Sequence, residues 1–126
     1  MSTPSTNPIN ISLPQGKTVI VNFATNTTVQ QSYSISDSSG TVVCKDSGTG
    51  TGPTAHSSQT FTANEGGKYS VSIIANGSNE KVLMSESSVV YDGTVYAQSY
   101  TFVSEDASDN DYNDTFLSIN WFQKNT

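Results

Sequence analysis

The sequence has no arginine, a single cysteine and no long apolar segment. Five lysines stand against eleven acidic residues, which gives a net charge of −6. Because no basic patch is available to replace phosphate counterions, nucleic acid is not expected as a partner. The one cysteine, Cys44, excludes an intrachain disulfide. It lies in a strand-like segment, where a small buried side chain is expected.

Segments that could bring the chain into a membrane are also missing. Residues 1–12 are polar and contain no apolar signal-peptide core, and no segment is long enough to span a bilayer. We therefore expect no membrane insertion, and a location that is cytoplasmic or reached by a non-classical export route.

Helical periodicity is absent as well, whereas short alternating segments are frequent. About nine such segments, separated by turn signals, predict an all-β fold, an antiparallel β-sandwich of Greek-key type. Two of the turn signals are D-S-S-G at residues 37–40 and Asp92-Gly93, which predict hairpins. With 126 residues the chain is expected to form one domain, 1–126, in which residues 1–8 are a flexible lead-in.

The last predicted strand, Thr115 to Phe122, is apolar on one face and mixed on the other. The mixed face holds Phe116, Ser118, Asn120 and Phe122. It could contact solvent, or it could contact another subunit.

Two further features are assigned to the surface. The segment D-S-G-T-G-T-G-P-T at residues 46–54 lacks the lysine of a phosphate-binding loop and does not open a helix, so a flexible loop is predicted. His56 is the single histidine and has no cysteine or second histidine beside it in the sequence. It is therefore expected at the surface rather than as a ligand or base.

The most unusual segment is E-D-A-S-D-N-D-Y-N-D at residues 105–114. It contains five of the eleven acidic residues, two asparagines and no lysine. Carboxylates this close raise the cost of ionising one another. Either the segment is fully solvated or a cation neutralises it, and oxygen-only ligands indicate a hard cation, with calcium first.

An EF-hand does not explain this segment. Asp109, Asp111 and Asn113 match the first three ligand positions, but Asp114 stands where a glycine is needed and Asn120 where a glutamate is needed. No helix is predicted after it, so the EF-hand is excluded.

A calcium site of another design remains possible. Side chains at 109, 111 and 113 point to one side of an extended segment, and Asp114 and Glu105 can approach from the flanking backbone. Two cations bridged by Asp111 and Asp114 would lower the net charge from −6 to about −2. A single calcium that only stabilises the loop remains the alternative.

An enzymatic function is not expected. Glu105 and Asp106 could form the acid–base pair of a glycosidase. Ionised neighbours or a metal would lower their pKa values, however, which is the wrong direction for a general acid.

The acidic segment and the end of the chain resemble a known family. S-E-D-A-S-D-N-D-Y-N-D at 104–114, followed by I-N-W at 119–121, closely resembles the C-terminal signature of the bacterial calcium-mediated lectins. In this fucose- and mannose-binding lectin II family the signature reads S-E-D-G-T-D-N-D-Y-N-D before I-N-W. Weaker similarity covers most of the chain, including Leu13-Pro14, Asn26-Thr27-Thr28 and the alternation from Gly67 to Ile73.

The resemblance implies a calcium-dependent carbohydrate-binding protein that forms homodimers or homotetramers. Two calcium ions per chain would ligate vicinal hydroxyls of fucose- or mannose-type sugars. One ion would be held by Glu105, Asp109, Asp111 and Asp114, and the other by Asn26, Asp111, Asn113 and Asp114. The sugar would contact Asp106, Asp109, Asp111, Asn113 and Asp114, and the specificity loop would comprise Thr27, Thr28 and Val29.

The chain departs from the family pattern at its C-terminus. Family members end in a glycine a few residues after the tryptophan, and its carboxylate completes the calcium site of the neighbouring subunit. This chain continues W-F-Q-K-N-T, with Lys124 near the position of that glycine. Asn125 or the Thr126 carboxylate could substitute. The alternative function is a calcium-stabilised structural or interaction module that has lost sugar binding.

Overall fold

The computed structural model describes residues 7–105 and 112–123. Within them the chain forms antiparallel β-strands and no helix, which confirms the all-β prediction. None of the described residues therefore forms a helix able to cross a membrane. The eight strands are β1 (Ile9–Leu13), β2 (Thr18–Ser36), β3 (Val42–Thr62), β4 (Gly67–Ala75), β5 (Ser78–Asn79), β6 (Lys81–Tyr91), β7 (Thr94–Glu105) and β8 (Thr115–Phe122).

A long ribbon formed by β2 and β3 joins two layers of strands. Residues 19–25 of β2 pair with β8, which continues through β7 to β6, and we call this the large layer. Residues 31–36 of β2 pair with β4, which also pairs with β1 and β5, and we call this the small layer. β3 accompanies β2 through both layers.

The two layers enclose one hydrophobic core. Alternate residues of β2 are buried in both halves of the strand, so that Phe23 of the large layer packs on Tyr33 of the small layer with ring centroids 5.0 Å apart. The Tyr100 hydroxyl of β7 donates a hydrogen bond of 2.8 Å to the Ser12 carbonyl of β1, across the layers. Full burial of each large apolar side chain stabilises the fold by about 1.5–3 kcal/mol.

The described residues form eight strands, whereas the sequence predicts about nine. The alternating segments on either side of residues 24–29 belong to the single strand β2, and those on either side of residues 46–54 belong to β3. The polar residues between them favour turns locally, but pairing with neighbouring strands keeps them extended. The Greek-key connection stays a prediction, as does the lead-in, of which residues 1–6 lie outside the described part.

The glycine-rich segment is not the flexible loop that the sequence predicts, because residues 46–54 lie within β3. Its glycines allow close packing between side chains and backbone. A Cβ at Gly48 would lie 2.6 Å from His56 Cε1, and a Cβ at Gly50 would lie 2.5 Å from Thr54 Oγ1. Glycine within a strand often marks such an approach.

His56 is less exposed than the surface position that the sequence predicts. Its side chain is half-buried, and its ring centroid lies 5.2 Å from that of Phe23. Cys44 is buried as predicted, with its Sγ 3.3 Å from the Tyr33 hydroxyl. Burial raises the pKa of both the Cys44 thiol and the Tyr33 hydroxyl.

Both predicted hairpin turns are confirmed. Asp92 and Gly93 have φ values of 53° and 79°, as a type I′ turn requires. In the turn between β2 and β3, Asp37 Oδ1 accepts hydrogen bonds of 3.0 Å from the backbone N–H groups of Ser39 and Thr41. The side-chain hydrogen bond from Ser39, followed by backbone hydrogen bonds, lowers the pKa of the Asp37 carboxyl.

The Asp37 turn closes the ribbon on which both layers depend, so Asp37→Ala should lower the Tm at neutral pH. The lowered pKa means that the ionised carboxylate stabilises the folded chain above the usual Asp pKa of 3.8, and that this contribution is lost as the pH falls through the folded-state pKa. The Tm difference between the wild type and Asp37→Ala should therefore shrink in strong acid. A difference that stays constant from pH 7 to pH 3 in thermal scans would contradict this role.

Candidate functional site

The acidic segment joins the end of β7 to the start of β8, and the structure describes part of it. Three predicted site residues lie outside the described residues. They are Asp106, the predicted sugar contact, and Asp109 and Asp111, two predicted metal ligands. The other predicted ligands can be placed. They are Asn26, Glu105, Asn113 and Asp114.

Backbone pairing brings Asn26 to the acidic segment. The Asp114 N–H donates a hydrogen bond of 3.1 Å to the Ser104 carbonyl, and the Asn26 N–H donates one of 3.0 Å to the Asp114 carbonyl. Three chain segments thus meet at the end of β7. They are Glu105, the last residue of β7, Asp114, the residue before β8, and the part of β2 at Asn26. Asn26 lies 88 positions before Asp114, so only the pairing of β2 with β8 explains their proximity.

Two carboxylates at this junction are buried. Glu105 is 2 % exposed and Asp114 is 7 % exposed, whereas Asn113 is exposed. The Tyr112 N–H, presented by a residue with φ of 51°, donates a hydrogen bond of 3.2 Å to Glu105 Oε1. Lys81 stands opposite Glu105 in the ladder of β6 and β7. Buried carboxylates require compensation by hydrogen bonds or positive charge.

The described part of this junction offers oxygen donors, as calcium prefers. Glu105 and Asp114 contribute carboxylates, and Asn26 and Asn113 contribute amides. Residues 7–105 and 112–123 contain no group of three or more His, Cys, Asp or Glu residues placed to hold a metal. A complete calcium site at this junction would therefore need the carboxylates of residues 106–111 in addition. The residues present fit such a site in chemistry.

The predicted specificity loop protrudes from the β2–β3 ribbon beside this junction. Thr27 pairs with Gly50 and Gln31 with Gly48, so three residues of β2 stand opposite one residue of β3. The extra length forms a wide bulge in which Thr28 and Val29 are exposed. Thr27 Oγ1 accepts a hydrogen bond of 3.1 Å from the Val29 N–H, which closes the bulge on itself.

A buried polar pair, which sequence reasoning missed, supports this bulge from the interior. Gln31 is fully buried, and its Nε2 donates a hydrogen bond of 3.1 Å to the Val29 carbonyl. Its Oε1 accepts one of 2.7 Å from Thr115 Oγ1, at the start of β8. The signal was present in the alternation, since Gln31 shares the core face of its strand with Tyr33, and Thr115 shares the core face of β8 with Leu117.

A buried carboxylate lies behind the end of β7 and was also missed. Glu80 is 3 % exposed, and its Oε1 accepts a hydrogen bond of 2.9 Å from Ser104 Oγ. Ser104 directly precedes Glu105. The sequence offered no signal for this contact, because Glu80 follows a turn in which an exposed acidic residue is common.

The sequence is similar to those of known proteins. Residues 11–123 match the family model of fucose-binding lectin II (PA-IIL). Thrombocorticin from Corticium sp. is 30% identical over 128 residues, which cover 91% of this chain and 93% of that protein.

Solved structures agree in fold. A Chromobacterium violaceum lectin in complex with alpha-methyl-fucoside has a TM-score of 0.78 at 25% identity, covering 91% of this chain and 96% of that one. The Ralstonia solanacearum high-affinity mannose-binding lectin has a TM-score of 0.75 at 22% identity, over 91% of this chain and 96% of that one. The C-terminal domain of a Burkholderia cenocepacia lectin has a TM-score of 0.78 at 20% identity, over 97% of this chain and all (100%) of that domain.

The predicted resemblance is thereby confirmed over most of the chain, and the solved relatives are lectins rather than enzymes. Since the family model spans both layers, the junction at Glu105 and the bulge of β2, this chain is a carbohydrate-binding lectin that belongs to the fucose-binding lectin II family.

Proposed function

We propose that the chain binds fucose- or mannose-type sugars in a calcium-dependent manner, at the junction of β7, β8 and the bulge of β2. The observation that carries the proposal is the hydrogen bond from the Asn26 N–H to the Asp114 carbonyl. It holds the predicted specificity loop beside buried carboxylates. A sugar seated there would meet both the acidic segment and the exposed Thr28 and Val29.

Two calcium ions are proposed, held by the residues that the resemblance implies. Glu105 and Asp114 are the buried carboxylates of the described part, and Asn26 and Asn113 are the amides. Asp109 and Asp111 would complete the set, with Asp111 and Asp114 shared between the ions. Bound calcium would offer coordination positions that two sugar hydroxyls can occupy in place of water. Asp106 would accept a hydrogen bond from a further hydroxyl.

The choice between fucose and mannose is assigned to Thr27, Thr28 and Val29. Among the relatives, one was solved in complex with alpha-methyl-fucoside and another is a mannose-binding lectin. Thr27 precedes the bulge, Thr28 and Val29 lie in it, and none of the three takes part in the main-chain hydrogen bond from Asn26 to Asp114. Substitutions there should change the ratio of fucose to mannose affinity and leave calcium binding intact.

Calorimetric titration tests the proposal directly. Methyl fucoside or mannose should release heat in millimolar calcium, and a chelator should abolish it. Absence of heat with both sugars, combined with a calcium-dependent rise in Tm, would instead identify a calcium-stabilised module without sugar binding. Absence of both effects would exclude calcium at this site.

The bridging carboxylates give a second prediction. Asp114→Asn keeps the backbone bonds to Ser104 and Asn26, so the fold should persist. Calcium at about 100 times its Kd should stabilise the wild type by roughly 2.7 kcal/mol, or about 10 °C in Tm for a domain of this size. Asp111→Ala and Asp114→Asn should both lose this rise. If Asp111→Ala still bound two calcium ions, the bridging assignment would be wrong.

We also propose that the outer face of the large layer forms a homodimer. Its central rows carry small polar residues, such as Ser118, Thr101, Asn120 and Ser99. Apolar rows flank them at both ends, namely Phe116–Val103–Leu83 at one end and Phe122–Ala97–Val89 at the other. Phe116 is 43% and Phe122 59% exposed, so neither is covered within one chain.

A two-fold axis at the centre of this face would pack the Phe116 row of one subunit against the Phe122 row of its partner. Such an isologous contact is the commonest symmetry of soluble dimers. It would also bring the chain end of one subunit toward the other subunit's acidic segment. β8 itself is about 26 Å long, since its eight residues rise about 3.3 Å each. Residues 124–126, which would complete this reach, lie outside the described residues.

Ser99→Glu tests the dimer, because two copies of the new carboxylate would face each other near the axis. The wild type should sediment as a dimer or tetramer, and Ser99→Glu should dissociate it. Ser72→Glu, on the outer face of the small layer, serves as the matched control. It should leave the number of subunits in the sedimenting assembly unchanged. A monomeric wild type, or a Ser99→Glu variant of unchanged mass, would refute the interface.

A further inference from the structure

His56 occupies a β-bulge close to the candidate site. Phe23 pairs with Ser57 and Ala24 with Ala55, so that His56 is the extra residue of β3 at this point. A bulge redirects the side chain of its extra residue. Here the imidazole packs on the Phe23 ring, with the ring centroids 5.2 Å apart.

The redirected imidazole reaches a buried hydroxyl next to the candidate site. His56 Nε2 lies 2.7 Å from Thr25 Oγ1, and the tautomer decides which group donates. Thr25 is 2 % exposed and directly precedes Asn26. Its backbone pairs with Thr115 of β8, which directly follows Asp114. The hydrogen bond therefore acts on the residue of β2 that directly precedes Asn26, where regular pairing with β3 is interrupted.

Gly48 makes room for this arrangement. A Cβ at position 48 would lie between 2.6 and 2.8 Å from three atoms of the imidazole, which no real Cβ tolerates. Gly48 also stands opposite Gln31, where β2 leaves the bulge. The imidazole thus bonds to β2 before the bulge, at Thr25, and occupies the space beside Gly48, which stands opposite the end of the bulge.

We propose that His56 is a positioning residue that holds Asn26 and the bulge at residues 28–30 in the geometry needed for calcium and sugar. This inference rests on the proposed calcium-dependent function. His56 itself touches neither ion nor sugar, and acts through Thr25. The site then requires both the histidine at 56 and the glycine at 48, because a larger residue at 48 would displace the imidazole.

The test compares His56→Phe, Thr25→Val and their combination. His56→Phe keeps the ring packed on Phe23, and Thr25→Val keeps the side-chain volume, but each removes the hydrogen bond. Each should weaken calcium binding about fivefold, as expected for one hydrogen bond, and change the ratio of fucose to mannose affinity. The double variant should be no weaker than the weaker single variant, because both remove the same interaction.

Gly48→Ala gives an independent arm. In the wild-type background it should weaken calcium binding like His56→Phe, because the new methyl group displaces the imidazole. In a His56→Ala background the same substitution should have no further effect, since the space is vacant. Equal effects of Gly48→Ala in both backgrounds would contradict the proposed coupling.

Tyr33→Phe is the matched control for a purely structural effect. Tyr33 also packs on Phe23, but its hydroxyl is hydrogen-bonded to Cys44 and Gln59 of β3 rather than to Thr25. Its removal should lower the Tm and leave calcium affinity unchanged. If His56→Phe behaved in the same way, with lower Tm and unaltered calcium and sugar affinities, the positioning role would be overturned.

Hydrogen exchange separates this inference from the proposed function. The amides of residues 26–30 should exchange faster in His56→Phe than in Tyr33→Phe, with or without calcium. If the wild type failed to bind calcium, the proposed function would fail, and the exchange rates would still decide the role of His56. Identical rates for these amides in both variants would overturn it.

Discussion

The antiparallel pairing of β2 with β8 is the constraint on which the rest of the structure depends. It ends where the Asn26 N–H meets the Asp114 carbonyl, and from that point β2 leaves the large layer for the small one. The bend of one strand thus does two things. It closes the core between the layers, and it places a protruding bulge beside buried carboxylates. A lectin site made of residues far apart in sequence requires such a crossing.

Interior polar groups stabilise the point at which β2 passes from one layer to the other, because its regular pairing with β3 is interrupted there. Gln31 and Thr115 hold the bulge at its far end, and His56 with Thr25 holds it at its near end. Unpaired backbone or side-chain groups at such a depth would cost about 1–3 kcal/mol each, so these pairs stabilise the fold as well as shape the surface. The exposed face of the bulge is free to vary in side chain while its backbone is supported from inside.

The sequence predicted those features that depend on neighbours along the chain. Alternation predicted the strands, Asp92-Gly93 and Asp37 predicted the turns, and the density of carboxylates from Glu105 to Asp114 predicted an oxygen-ligand site. It could not predict features set by distant partners. Residues 24–29 and 46–54 read locally as loops, and only their mutual pairing in the ribbon makes them strand. The contact of His56 with Thr25 depends on a bulge whose register no local pattern reveals.

A crystal structure with calcium and methyl fucoside or mannose tests the central claim most directly. Two adjacent calcium ions are expected at the junction of β7 and β8, ligated by Glu105, Asp114 and Asn26 together with Asp109, Asp111 and Asn113. Two sugar hydroxyls should complete their coordination beside Thr28 and Val29. Calcium bound elsewhere, or a sugar bound away from this junction, would contradict it.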